Sequence, residues 1–303
     1  MTFLSAYLKK TFGTKVYRVS LSTGCTCPNR DGKLSFGGCT FCSEGGSGEF
    51  AQAGSFAQQF EKGKKLIESK LPKNDSSQKK YIAYFQSFSN TYVSEKSGPS
   101  FEELEKIFLE AANHSEVAVI SIGTRPDCID EKMLNLISRL NKIKPVWIEL
   151  GLQTADDKTG CLINRNFSWK DFTETYARLK SRGISVIVHV IFGLPGETEK
   201  TMLLTVKKLG QLTPVLDGIK IHNLQILSGT KISEDFKNNP WHVMTLEEYS
   251  ELLKKALALL NPATIIHRIT GDGPKKLLME PKWSSNKKMV LNHMKKLFPE
   301  MEK

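Results

Sequence analysis

The sequence predicts an α/β fold, a partial (β/α)6 TIM-type barrel with a C-terminal αβ extension. Three observations lead there. Runs of β-favouring residues alternate with stretches of helical spacing along most of the chain. Two of these runs, residues 117–122 and 185–192, are almost continuously apolar, as strands become when both faces of a sheet are covered. Short connections join each helix to the next strand, so successive strands pair in parallel through right-handed crossovers.

A short N-terminal helix precedes the first strand, residues 16–21, where apolar and polar side chains alternate. A helix over 56–71 follows, with Phe56, Phe60, Leu66, Ile67 and Leu71 at helical spacing, and the polar run 72–77 is its connector. Strand 81–86, helix 101–112, strand 117–122, helix 132–140 and strand 146–150 continue the alternation. Helix 169–182, strand 185–192, helix 199–212 and strand 218–224 complete six units, two short of a closed eight-fold barrel. A helix over 245–260, a strand at 264–268 and an amphipathic helix over 286–298 make up the extension. The expected division is therefore a barrel over 1–230 and a basic extension over 231–303 that caps it or touches substrate.

Ligands of such folds collect at the carboxyl ends of the strands. The loops leaving those ends are a cysteine-rich stretch after residue 21 and the segments 86–91, 123–127, 151–153 and 193–197. Together they bring Gly, Asn, Gln, Arg and Asp to one mouth.

The 303 residues are 40% hydrophobic and 25% charged, which fits a globular chain and excludes a low-complexity one. No run approaches the length of a membrane span, and the first residues lack a signal-peptide pattern. A cytoplasmic protein with reduced thiols, and no membrane partner, is expected. The net charge of +11 is unevenly spread. Residues 1–30 hold five Lys or Arg and no acid, and residues 275–303 hold eight lysines against three glutamates. Such termini suit a polyanion, although a solvated lysine-rich exterior has the same composition.

Four of the six cysteines, Cys25, Cys27, Cys39 and Cys42, fall within one short loop, while Cys128 and Cys161 stand alone. Core thiols come singly on apolar faces, whereas Cys39-Thr-Phe-Cys42 beside glycines suggests ligands gathered by turns. Three readings compete. A disulfide is disfavoured in a reducing compartment. Zinc would find four thiolates, but the single residue between Cys25 and Cys27 is shorter than the usual spacing, and the first histidine is His114. An iron–sulfur cluster on Cys27, Cys39 and Cys42 would leave one of four irons open to another ligand. Cysteine count does not choose among them.

The run Cys27-Pro-Asn-Arg-Asp-Gly32 with Gly37-Gly-Cys-Thr-Phe-Cys42 resembles the cluster loop of radical S-adenosylmethionine (SAM) enzymes, and within them the YhcC/YtqA-type family. This family is related to the catalytic subunit of elongator and to the oxygen-independent coproporphyrinogen oxidase. Tyr84-Phe-Gln-Ser-Phe-Ser-Asn-Thr-Tyr92, Ile148-Glu-Leu-Gly-Leu-Gln153, Ile163-Asn-Arg165, His189-Val-Ile-Phe-Gly-Leu-Pro-Gly-Glu197 and Arg268-Ile-Thr-Gly-Asp272 are also similar to family segments, in order.

The resemblance implies a six-unit partial barrel and a [4Fe–4S] cluster held by Cys27, Cys39 and Cys42, with SAM on the remaining iron. Reductive cleavage of SAM would give a hydrogen-abstracting 5′-deoxyadenosyl radical, the electron coming from a donor such as flavodoxin or ferredoxin. It places Phe41 by the adenine, Gln153 and Arg165 at polar SAM-contacting positions, and His189 on the fifth strand nearby. Gln86, Ser87, Asn90 and Thr91 match the second-strand contacts more loosely. Two features depart from the family pattern. Eleven residues separate Cys27 from Cys39, a longer loop shared with the elongator-like branch, and Asn166-Phe167 stands where relatives commonly have Gly-His.

Elongator-like relatives modify the wobble uridine, so the resemblance and the basic termini imply an RNA substrate, most specifically tRNA. A small-molecule substrate and a non-catalytic, zinc-stabilised RNA-binding module are the alternatives. Cys25, Cys128 and Cys161 are read as ordinary cysteines, and His222 and His267 as core or mouth histidines. The run 45–48 is either a backbone nest or a flexible exit from the loop. Trp283 with the tail lysines either stacks on RNA or packs the last helix.

Overall fold

The computed structural model describes residues 1–46, 51, 54–72, 79–271 and 273–302. The predicted connector at 72–77 lies outside them except for Pro72, the run 45–48 is described only at Gly45 and Gly46, and Asp272 lies outside.

Strand β1 (Thr2–Phe3) leads into helix α1 (Leu4–Phe12), followed by β2 (Val16–Leu21), α2 (Phe56–Glu68), β3 (Lys80–Phe85), α3 (Phe101–Asn113) and β4 (Val117–Thr124). Next come α4 (Glu131–Ile143), β5 (Val146–Gln153), α5 (Asp157–Leu162), α6 (Trp169–Ser181), β6 (Ser185–Phe192), α7 (Glu199–Gly210) and β7 (Gly218–Asn223). The chain ends with β8 (Ile226–Leu227), α8 (Lys231–Asn238), α9 (Leu246–Leu257), β9 (Ile265–Arg268), β10 (Leu278–Glu280) and α10 (Lys287–Leu297). Side-chain caps fix several helix starts. Ser55, Ser100, Ser168, Thr198 and Thr245 each close a reciprocal capping box with the residue three positions on, satisfying donors that the first turn leaves open.

Eight of the strands form one parallel sheet in the order β1-β9-β7-β6-β5-β4-β3-β2. The six expected units are consecutive within it, and two short strands lengthen the sheet at the β7 edge. Ile265–Arg268, expected in a separate extension, pairs directly with β7, and Thr2–Phe3 adds beyond it. The sheet curls without closing, since β1 pairs only with β9 and β2 only with β3. Strand β5 runs through the stretch 151–153 that was expected to be loop. No helix among the described residues is long and apolar enough to cross a membrane.

Strand alternation sorts the side chains. Val19 and Leu21, Ala83 and Phe85, Ile120 and Ile122, Ile148 and Leu150, and Val186 and Val188 point outward into the layer shared with the helices. Inside the barrel, Ile82, Val119, Trp147 and Ile187 meet Leu4, Tyr7, Leu8 and Phe12 of α1, which plugs the amino end. Burying Leu8 there contributes about 2 kcal/mol. With that end sealed, the inner face is left open only toward the carboxyl ends and along the unpaired seam.

Candidate active site

The loop after β2 is folded back on itself before it reaches its second pair of cysteines. Gln59 of α2 anchors its start, accepting from Ser22 N at 2.8 Å and donating to Ser22 O at 2.9 Å. Arg30 N and Asp31 N then donate to Cys27 O at 2.8 and 3.2 Å, and Gly38 N donates to Asn29 O at 2.9 Å. This turn returns the chain, so the long insertion still carries Cys39 back to Cys27. Cys42 N donates to Cys39 O at 2.9 Å, which closes the second turn. Gly38 needs its φ of +88°, and a Cβ there would come 2.9 Å from Arg30 Nε. Arg30 cannot simply move aside, because its guanidinium donates to Cys42 O at 3.2 Å and to Ser43 O.

The segment at 163–165 is the loop's dock. Thr40 N donates to Ile163 O at 3.0 Å, Asn164 Nδ2 to Gly38 O at 2.8 Å, and the fully buried Asn29 donates to Asn164 O at 2.7 Å and to Cys39 Sγ at 3.6 Å. Asn164 and Asn166 are left-handed, at φ +54° and +60°, a conformation that asparagine tolerates better than most residues. Neither Asn29 nor Asn164 was singled out from the sequence. Their position between the cysteine motif and the Ile163-Asn-Arg165 segment was the signal.

Cys27, Cys39 and Cys42 border one cavity of about 170 Å3, together with Phe41, Gln86 and Gln153. Burial, with Cys42 and Cys27 close by, pushes the Cys39 thiol up to about 12, while Arg125 opposes the rise. A thiol raised in this way keeps its proton at neutral pH until a metal takes the proton's place on the sulfur. Three thiolates are one short of the four that close a structural zinc site, whereas a four-iron cluster held by three leaves one iron for another ligand. Cys25 faces away into the outer core, where burial raises its thiol to about 11. Cys128 is buried behind Arg125 and Cys161 is exposed on α5; neither borders the cavity.

Of the other predicted residues, Phe41, Gln86, Gln153 and His189 border this cavity and also a larger one of about 870 Å3 beside it. Gln153 is left-handed at φ +63°. Its amide nitrogen, assigned from its surroundings, donates to Leu152 O at 3.1 Å and Gly151 O at 3.2 Å. Ser87, Asn90, Thr91 and Arg165 are buried outside both linings. Asn90 donates to Gly123 O at 2.9 Å and accepts from Thr23 Oγ1 at 2.9 Å, which ties three loops together. The Thr91 hydroxyl lies 2.6 Å from both Thr124 Oγ1 and Cys128 O. Arg165, fully buried, donates to Leu152 O at 3.0 Å, to Phe167 O at 2.9 Å and to Thr154 O, and pairs with Asp157 at 2.8 Å. It clamps the end of β5 to the segment that docks the cysteine loop.

Strand alternation also brings a charged group to the inner wall. Glu149 accepts from Ser121 Oγ at 2.6 Å, from His189 Nε2 at 2.6 Å and from Lys220. Burial would raise its carboxyl, but Lys220 and His189 overcome this and hold it well below the ordinary range. Burial, with Lys220 nearby, lowers His189 to about 4, so at neutral pH the imidazole is uncharged and its Nε2–H points to Glu149. Tyr84 lies beneath, with Lys220 Nζ 4.4 Å from its ring centre and Arg18 5.1 Å away. Lys220, Glu149, Tyr84 and Arg18 were passed over as strand residues. Polar side chains at matching inward positions of otherwise apolar strands were the clue. His222 lines the larger cavity, while His267 packs edge-on against Trp147 near the floor. Trp283 is a packing residue, donating to Met244 O at 2.9 Å against Tyr249.

A sequence profile of the Radical SAM superfamily matches residues 21–209, and one of the Radical_SAM C-terminal domain matches residues 216–298. The uncharacterized protein YtqA of Bacillus subtilis is 38% identical over 295 residues, which are 97% of this chain and 88% of that protein. A tRNA uridine(34) acetyltransferase of Methanocaldococcus infernus is 29% identical over 208 residues, 67% of this chain and 38% of the relative. Among solved structures, Methanocaldococcus infernus Elp3 with an N-terminal deletion of residues 1–46 superposes with a TM-score of 0.64 at 19% identity, covering 93% of this chain and 63% of that one. That last likeness is one of fold.

Proposed function

The chain belongs to the radical SAM superfamily, and from that premise we propose that it uses radical chemistry to modify a base of RNA, with tRNA and its wobble uridine as the substrate to test first. It is an enzyme whose cofactors are a [4Fe–4S] cluster and SAM. When bound, this pair supplies reductive cleavage of SAM to a hydrogen-abstracting 5′-deoxyadenosyl radical. Cys27, Cys39 and Cys42 are the ligands in this reading. The observation that carries it is their shared position on one cavity wall beside Phe41, Gln86 and Gln153, with Cys25 turned away into the outer core.

The remaining residues position and insulate. Phe41 and Gln153 stand between the two cavities, where one molecule can touch the cluster and still present its other end to the substrate. Gln86 and His189 share that boundary. Arg165, Asn90 and Thr91 act by holding the loops that bear the ligands, through the backbone contacts described above. Glu149 fixes the His189 proton and anchors Lys220, so the inner wall keeps a set charge pattern that needs no rearrangement during reaction.

Support for RNA comes from two sources. One relative is a tRNA uridine(34) acetyltransferase, and the lysines of the last helix are exposed. A cytoplasmic location and an electron donor such as flavodoxin or ferredoxin belong to the same proposal. Comparing modified nucleosides in tRNA from cells with and without the gene tests it. A nucleoside that disappears, with its precursor accumulating, is the expected result. An unchanged profile would remove RNA and leave a small molecule as the substrate class.

A further inference from the structure

Beyond Phe41, Gln86, Gln153 and His189, the larger cavity is lined by cations. It runs along the gap between β2 and the β1–β9 end of the sheet, which do not pair, and its lining comes from both sides of that gap. Arg18, Lys62 and Lys70 stand on the β2 side, Lys220, Arg268 and Lys287 on the other, and among the described residues no Asp or Glu borders it. Glu149, just behind the wall, is already engaged by Lys220, His189 and Ser121. A concave surface lined by cations attracts an anion by focusing their field into the cleft.

Two buried nitrogens point to a missing partner. Arg18 Nε and His222 Nε2 are shielded from solvent, and among the described residues neither has a hydrogen-bond partner. Buried polar atoms are rarely left so, because each costs about 1–3 kcal/mol unless something else satisfies it. Arg18 Cζ lies 5.1 Å from the centre of the Tyr84 ring, and its guanidinium is a group able to make bidentate contact with a carboxylate or phosphate.

We propose that this cavity receives an anionic group of the substrate, a phosphate or a carboxylate, between Arg18 and Arg268 with His222 as a further donor. The inference rests on the proposed function and narrows it: the molecule attacked carries its negative charge into the barrel, in addition to any charge that meets the outer lysines. On RNA that charge is either the phosphate of the target nucleotide or a carboxylate borne by its base.

Equilibrium binding to the full-length, anaerobically reconstituted protein tests this with two matched pairs of probes, uridine 5′-monophosphate against uridine and orotate against uracil. At least a tenfold preference for the anion in one pair is expected, the first pair indicating a phosphate and the second a carboxylate. Arg18→Ala should abolish that preference and Arg18→Lys should restore part of it, while Lys132→Ala, which removes a distant surface charge, should leave it intact. If Arg18→Ala fails to fold by circular dichroism, His222→Ala takes its place and should reduce the preference at least threefold. Equal binding within both pairs, or a preference that survives substitution of the cavity residues, overturns the proposal. The tRNA nucleoside profile is an independent readout. Anion preference with unchanged nucleosides keeps the pocket and removes RNA, whereas changed nucleosides without anion preference remove the pocket alone.

Discussion

Replacing Glu149 by Gln takes away the charge against which Lys220 is buried. Glu149 is 1% exposed and Lys220 2% exposed, so neither can turn to water when its partner is lost. The amide can still accept from Ser121 or His189, but it no longer neutralises the ammonium. Lys220 is left with the face of Tyr84, 4.4 Å away, which offsets about 2 kcal/mol. Breaking a buried ion pair from one side costs about 3–5 kcal/mol. For a domain of this size that lowers the melting temperature by about 5–8 °C. Removing both charges together avoids the stranded cation, so Glu149→Gln with Lys220→Met should return to within about 1 kcal/mol of the native chain. Urea denaturation followed by circular dichroism reads all three proteins. A loss below about 1 kcal/mol in the single variant, or a double variant no more stable than the single, would refute the claim that Lys220 depends on Glu149.

Three further outcomes are expected. Arg165→Ala removes the donor that the carbonyls of Leu152, Thr154 and Phe167 share, and should cost about 3 kcal/mol and reduce iron loading, because the dock for the cysteine loop loosens; full iron content in a destabilised variant would separate the two effects. Gly38→Ala forces a side chain into a left-handed turn against Arg30, and should lose about 1–2 kcal/mol with iron content falling in parallel, read by thermal melting and iron assay. Burial raises the Glu197 carboxyl from 4.5 to about 7. The folded chain therefore keeps a proton that the unfolded chain releases, and this stabilisation is complete below pH 4.5 and lost as pH rises to about 7. Glu197→Gln should flatten the stability profile over that window, and an unchanged slope in pH-dependent denaturation would contradict the assignment.

The order of the six main strand–helix units was legible because each is long enough to show its period. Thr2–Phe3, Ile226–Leu227 and Leu278–Glu280 were not, since two or three residues carry no period, and their pairing is settled by what lies beside them in space. Helices α5 and α8 were missed for the same reason, being barely two turns each. The extension could not be seen to join the sheet, because Ile265–Arg268 reads alike whether it pairs with β7 or stands apart. Within the site, Cys27, Cys39, Cys42, Phe41, Gln86, Gln153 and His189 come together around adjoining cavities. Arg165, Ser87, Asn90 and Thr91 fall outside the linings: a motif fixes where a residue sits along the chain, but not whether its side chain faces the cavity or the loops around it. The charged inner wall was readable in principle from Arg18, Tyr84, Ser121, Glu149, His189 and Lys220. Its meaning emerged only when the sheet register set these residues side by side.

The central claim is that three cysteines hold a four-iron cluster and leave one iron for SAM. Iron and sulfide content of anaerobically reconstituted Cys25→Ala and Cys27→Ala proteins, measured with 5′-deoxyadenosine formation from SAM and a strong reductant, tests it most directly. Cys25→Ala should keep the cluster and form 5′-deoxyadenosine, while Cys27→Ala should lose both. The reverse pattern, or a native protein that takes up one zinc and forms no 5′-deoxyadenosine, would contradict it.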